Sequence, residues 1–274
     1  MNWKEKKDKD YIIHGFWIML LSLLLPSCYQ PRLGCLDPQS ANYDVLADGP
    51  CDQCCTYPRI TIEVQHRIGT LLYTLSDTIN NNLGERFLVL DQKIYLSDIQ
   101  ISNPLGIPIP LRDSVAFVRA VDGSRVNAAH QFNMVRQTQG SFDISTTGYS
   151  GLVTGLSMQV GLPENFNEFS TNMLPPLGNI ISTVENMRID NRLASAYWRI
   201  SDLNRQDTFN VYLSGITPLI MPFTSALENL RGRPLRLPIR LQMDVLFRNV
   251  DWSDPSTWES SIRDNLPSAI VAGN

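Results

Sequence analysis

The sequence predicts an all-β protein: an antiparallel β-sandwich with a short C-terminal helix and a small disulfide-rich N-terminal segment. Three observations predict it. Short apolar–polar alternations recur from residue 59 to residue 247, the period-2 signature of strands with one buried face. The 16 glycines and 17 prolines are spread along the whole chain, which suits many turns between short strands. No long amphipathic helical pattern alternates with the strands, which disfavours a parallel α/β sheet.

The chain opens on a targeting segment rather than a folded element. Lys4, Lys6, Lys7 and Lys9 precede an apolar run at 11–27 that ends in Leu25-Pro26-Ser27-Cys28. A charged start, an apolar stretch and small residues before a cysteine read as a bacterial lipobox. Residues 1–27 are then a signal peptide, and the Cys28 thiol takes a diacylglycerol and becomes the new N-terminus. A plain secretory signal and a spanning anchor are the competing readings. The run is at the short limit for a spanning helix, and Pro26 breaks a helix at its end. The expected location is the cell envelope, outer-membrane or periplasm-facing, with the membrane as partner through the lipid.

Residues 28–57 form the cysteine-rich segment. Besides Cys28 it holds Cys35, Cys51, Cys54 and Cys55, and no cysteine follows. Outside the cytoplasm, a clustered even set predicts disulfides. Residues 34–44 are turn-rich and nearly devoid of core material, so two bridges would hold what burial cannot. Adjacent Cys54 and Cys55 are poor partners for each other, so each is expected to pair with Cys35 or Cys51. A zinc site of Cys51-x-x-Cys54 with Cys55 and Cys35 is the weaker alternative, since exported thiols oxidise and no second Cys-x-x-Cys follows. Asp37, Asp44, Asp48 and Asp52 match no EF-hand spacing and read as turn residues. The segment resembles the GC-x-D-x-x-A-x-N-Y cysteine segments common in exported proteins of the Bacteroidetes.

Residues 58–274 form the sandwich domain. Arg59–Gln65 alternates as a half-buried strand. Phe87–Leu90 runs into Lys93–Ile101, where the phase of the alternation changes near Ser97-Asp98 and predicts a bulge or bend. Further strands are predicted at Ser114–Val121, Gly140–Ser145, Thr154–Gly161, Ala194–Ser201, Thr208–Ser214 and Leu235–Phe247. Pro234 and Pro238 put the last strand at an edge or make its entry irregular. A helix is predicted after Asp254-Pro255, capped by Ser256 or Thr257, with Trp258, Ile262, Leu266 and Ile270 on one face and Pro267 distorting its last turn. A shorter helix is predicted near Ala226–Leu230.

Chemistry is sparse. The net charge is −4 and no basic patch is visible, which argues against nucleic acid as a partner. No Gly-x-Ser-x-Gly, His-Glu-x-x-His or phosphate loop occurs, so the chain is expected not to be an enzyme. Behind the leader only His66 and His130 remain, each read as a surface or loop residue. Tyr197, Trp198, Trp252 and Trp258 read as core, with a sugar platform as the alternative.

The order of short motifs resembles the MbnP-like family of exported, copper-associated β-sandwich domains. The motifs are Tyr95-Leu96-Ser97-Asp98-Ile99-Gln100-Ile101, Gly148-Tyr149, Met158-Gln159-Val160-Gly161-Leu162-Pro163 with Asn167, Tyr197-Trp198, Asp244–Phe247 and Asp264-Asn265-Leu266. The resemblance implies copper, held by histidines together with a tryptophan that can be oxidised. Here Glu168 stands where copper-associated relatives carry a histidine after the Gly161-Leu162-Pro163 segment. Tyr212-Leu213-Ser214 stands where they carry His-Leu-Gly. Trp198 keeps its counterpart, so Trp198, Glu168 and Tyr212 are the positions for a metal. A carboxylate and a phenol are poor replacements for imidazole at a soft Cu(I) site. The sequence thus predicts a lipid-anchored envelope binding protein, with copper handling as the family expectation. The alternatives are an accessory lipoprotein that serves an envelope protein partner without metal, and a glycan-binding module.

Overall fold

The computed structural model describes residues 30–138, 140–169, 187–190 and 192–273. The leader and Cys28 lie outside the described residues. Two compact units are present. The smaller joins the described residues up to Leu36 with Asp44–Cys54, and the larger joins Asp37–Tyr43 with Cys55 onward.

The small unit has little apolar interior, and polar contacts organise it. Strand β1 (Leu33–Gly34) pairs in parallel with β2 (Gly49–Pro50). The Arg32 guanidinium meets Asp44 at 2.9 Å, and the Arg32 backbone N–H donates to Asp48 Oδ2 at 2.8 Å. All four expected cysteines are disulfide-bonded. Cys51 pairs with Cys54, and Cys35 with Cys55. The two adjacent cysteines thus bond apart, as ring strain predicts.

The large unit is a β-sandwich. Its strands are β3 (Arg59–Ile68), β4 (Leu71–Leu72), β5 (Ile79–Asn80), β6 (Arg86–Ser102), β7 (Ser114–Val118), β8 (Arg125–Ala129) and β9 (Asn133–Arg136). There follow β10 (Ser141–Thr146), β11 (Gly151–Val160), β12 (Arg188–Ile189), β13 (Arg192–Leu193), β14 (Ala196–Asp202) and β15 (Asp207–Leu213). The last are β16 (Thr217–Asn229), β17 (Leu235–Gln242) and β18 (Ile270–Ala272). One sheet runs β10-β3-β17-β18, with β4 on β3. The other runs β15-β14-β6-β11-β16, with β5 and β9 on β6. Among the described residues, every pairing within these sheets is antiparallel except β3 with β17, which is parallel. A parallel pair needs a crossover, and here nearly the whole unit is that crossover.

Alternation explains the main core. Ile60, Ile62 and Val64 of β3 face Leu235, Leu237, Ile239 and Leu241 of β17 along one sheet, and all are buried. Strand β6 contributes Phe87, Val89, Ile94, Leu96, Ile99 and Ile101 from the other. It keeps an apolar face over 17 residues because two register shifts reset its phase. The bulge foreseen at Ser97-Asp98 is there, with Asp98 at φ 48°. The other lies at Leu90, where Arg199 pairs Asp91 and Ile200 pairs Val89.

Four local expectations need correction. The strand from Leu235 ends at Gln242, and Met243–Leu246 is a helical turn. Met243, Leu246 and Phe247 all bury there, an i, i+3, i+4 set that a continued strand would splay to both faces. That strand also lies inside its sheet rather than at an edge. Pro238 is tolerated because its carbonyl accepts from Gly273 N–H, so the missing donor falls at the end of the short β18. Ala226–Leu230 is not helical: residues up to Asn229 belong to β16. Pro218 and Pro222 hide that strand from a propensity reading, yet β16 is an edge strand, where proline is permitted. Finally, the helix Pro255–Ala269 is capped by Asp254, whose Oδ1 accepts from Ser256 N–H at 3.1 Å.

A second apolar layer covers the outer face of the larger sheet. Tyr95, Met134 and Tyr197 project outward beneath Phe117, Phe132, Phe166 and Phe169. Phe117 and Phe169 stack with centroids 4.5 Å apart. The β7–β8 hairpin and the 3-10 turn Glu164–Glu168 carry much of this lid. The apolar residues of that hairpin alternate along a short pair of strands, but nothing in their spacing says which sheet they cover.

Truncating Leu237, fully buried between the sheets, is expected to cost about 2–5 kcal/mol. Truncating Ile220, 85% exposed on β16, is expected to stay within about 0.5 kcal/mol. Urea denaturation of Leu237→Ala and Ile220→Ala measures both, and equal losses would contradict this core assignment.

Candidate functional site

The three candidate metal positions do not converge. Trp198 is fully buried in the core between the sheets. Tyr212 packs on the outer layer against Tyr197, ring centroids 5.1 Å apart. Strand geometry enforces this separation. Tyr197 pairs Tyr212 and Trp198 pairs Val211, and neighbouring residues of a strand point to opposite faces. The sheet therefore stands between the indole and the phenol. Glu168 ends the 3-10 turn on the outer side and faces Arg119 at 3.8 Å.

What meets Trp198 is a different set. Trp198 Nε1–H donates to Gln92 Oε1 at 3.1 Å. Gln92 Nε2 lies 2.8 Å from His66 Nε2. Gln92 is fully buried on β6, directly opposite Trp198 on β14. His66 stands on β3 of the facing sheet, 8% exposed and opposite Leu241 of β17. The reading of His66 as a surface residue is thus corrected. The alternation of Ile60, Ile62 and Val64 runs on to His66 and turns it inward.

The bond directions follow from chemistry. An indole N–H can only donate, so Gln92 must offer it the carbonyl oxygen. The amide nitrogen then faces His66 and can only donate. His66 Nε2 must accept, which places the imidazole proton on Nδ1 and leaves the ring neutral. Burial pushes the His66 pKa down to about 4, so the neutral ring holds at every pH where the fold is expected to work. Tyr73 and Gln137 continue the polar surroundings. Gln137 Nε2 donates to Tyr73 Oη at 3.0 Å and to the Val89 carbonyl at 3.1 Å.

His130 is half-buried just beyond β8, with its ring 5.8 Å from Phe132. Burial lowers its pKa, and Asp113 and Asp143 oppose that shift. Among the described residues, the tryptophans offer no open platform. Trp252 is buried, and Trp258 stacks on Phe209 at 4.4 Å while donating its indole N–H to the Asp251 carbonyl. Two polar clusters were missed by sequence reasoning. Arg205 bridges Asp202 at 2.6 Å and Glu85 at 3.1 Å. Burial pushes Asp202 up, but N–H groups of Arg205 and Asn204 and the Arg205 guanidinium outweigh it and hold the carboxyl below its usual range. Glu259 accepts from Ser214 N–H at 2.9 Å and from Arg263 at 2.6 Å. Asp202–Arg205 and Glu259–Arg263 are close in sequence, but their links to Glu85 and Ser214 are distant and leave no spacing signal.

A groove of about 410 Å³ opens along β6, β11 and β16. Ser102, Gly155, Ser157, Pro108, Ile220 and Pro222 are among its lining, and none of its lining side chains is ionisable. A Cβ at Gly155 would lie 2.7 Å from Ser102 Oγ, so a side chain there would make that hydroxyl turn away. Such a groove can accommodate apolar groups but supplies no general acid or base.

Copper does not fit the donors at Trp198. They are one neutral imidazole nitrogen already accepting a hydrogen bond, one carboxamide and one indole N–H, with no thiolate and no second imidazole among them. Among the described residues, no three of His, Cys, Asp and Glu gather where they could hold a metal ion.

The chain is similar in fold to a solved structure, MbnP from Methylosinus trichosporium. The identity is 10% and the TM-score 0.45, over 72% of this chain and 79% of that one. No family model matches, and no curated protein matches.

Buried neutral in the fold and near 6.5 when unfolded, His66 contributes stability that is complete above about pH 6.5 and lost as pH falls toward 4. The full window corresponds to on the order of 3 kcal/mol. Urea denaturation at pH 7 and pH 4.5 should show the wild type losing more than His66→Leu. Parallel losses in the two proteins would count against a buried, neutral His66.

Proposed function

We propose that this chain is a lipid-anchored, non-catalytic binding module of the cell envelope that works without copper at Trp198. The observation that carries the reading is the hydrogen-bond chain from His66 through Gln92 to Trp198. It occupies the indole and the imidazole near it, so a metal would have to displace Gln92 and leave buried polar groups unpaired. The lipobox at Cys28 supports attachment to the membrane, and the cysteine segment separates that anchor from the sandwich. The groove beside β16, free of ionisable groups, supports binding over catalysis.

On this reading the chain is an accessory lipoprotein that offers its sandwich to an envelope protein partner. The full chain, extracted from membranes in mild detergent without chelator, tests both halves of the reading. It should co-purify with a partner and carry only substoichiometric copper, unchanged by Cu(I) addition followed by desalting. One equivalent of retained copper, lost in Trp198→Phe, would overturn the metal-free reading; elution as a single species would count against the accessory role.

A further inference from the structure

The small cysteine-rich unit carries an apolar tip in an unexpected place. Residues 44–47 form a tight turn: Ala47 N–H donates to the Asp44 carbonyl at 3.3 Å, and Leu46 N–H to Asp44 Oδ1 at 3.0 Å. Val45 and Leu46 occupy its centre, 73% and 69% exposed. Turn centres favour Gly, Pro, Asn, Asp and Ser, so two aliphatic side chains there oppose local preference. Leu33 is also open to solvent, at 63%. The ion pair of Arg32 with Asp44 and the bond from Arg32 N–H to Asp48 tie the Leu33 strand to this turn. Leu33 and the Val45-Leu46 tip are therefore parts of one short, pinned piece of chain.

The position of that piece along the sequence says what covers it. Leu33 follows Cys28 by five residues. A fully extended chain of that length spans at most about 17 Å, so a lipid on Cys28 keeps Leu33 within reach of the headgroup layer. We infer that Val45, Leu46 and Leu33 insert into the membrane interface beside the lipid anchor. The inference rests on the lipoprotein reading of Cys28 and deepens it: the acyl chains retain the protein, and the aliphatic tip sets the orientation of the module on the surface. Asp44 and Asp48 are engaged by Arg32, which limits their repulsion from the headgroups, and the cross-linked segment holds the tip rigid as it enters.

The test uses the full chain, processed and lipidated in a bacterial host and reconstituted into phosphatidylcholine vesicles. Leu46→Trp and, independently, Val45→Trp report depth against lipid brominated on its acyl chains. At an interfacial depth of roughly 5–10 Å, the added tryptophan should lose about half its emission to the brominated lipid and resist aqueous acrylamide. The wild type supplies the background from its own tryptophans. Vesicle-bound protein whose added tryptophan is quenched by acrylamide and not by bromine in both variants would overturn the insertion while leaving the lipid anchor standing. Protein that fails to float with the vesicles at all would overturn the anchor and the insertion together.

Discussion

The indole N–H of Trp198 has one thing it can do, which is donate, and the sandwich interior is built to receive it. Gln92 sits directly across from it and turns its carbonyl oxygen to the indole. That choice sends the amide nitrogen to the facing sheet, where His66 accepts. Three polar side chains thus bind the two sheets through an interior that is otherwise apolar. A buried polar group without a partner costs about 1–3 kcal/mol, so such a chain favours the register in which Gln92 reaches both Trp198 and His66. It specifies how the sheets face each other as well as holding them. Aromatic packing closes the same end of the core: Phe247 meets Trp198 edge-on, Phe87 meets Phe247 and Trp252, and Phe209 stacks on Trp258.

The division of Tyr197 and Trp198 between two faces of one sheet shapes the functional reading. Trp198 belongs to the inner core, while Tyr197 and Tyr212 belong to the outer layer under Phe117 and its neighbours. A copper site drawing on Trp198 and Tyr212 together would have to pass through the sheet. The scaffold therefore keeps the Trp198 neighbourhood occupied by hydrogen bonds to Gln92 and His66. What is left for function is the outside: a groove without ionisable groups along β16, and a cysteine-rich segment next to the predicted lipid.

Much of the fold was legible because alternation is a direct image of burial. β3, β6, β10, β11, β14 and β15 all announced themselves by period 2, and the phase slip at Ser97-Asp98 foretold its bulge. β16 was not legible, since Pro218 and Pro222 contradict a strand unless its edge position is already known. The helical turn after Gln242 hid behind an alternation that runs on through Met243 and Val245. The candidate site was half legible. Trp198 was singled out, but Gln92 carries no signature of its own, and His66 looked terminal because the apolar pattern before it ends in a polar residue. The Arg205 clamp joins the nearby Asp202 to the distant Glu85, and no local pattern can show that second link.

The central claim is that Trp198 fixes Gln92 and Gln92 fixes His66. Nitrogen-detected NMR of the imidazole rings in the folded, isotope-labelled protein tests it most directly. The account predicts a neutral His66 ring at pH 6, protonated at Nδ1 with Nε2 as the acceptor, and a Trp198 Nε1–H strongly protected from solvent exchange. A His66 ring protonated at Nε2, or charged at pH 6, would contradict it, as would a Trp198 indole that exchanges freely.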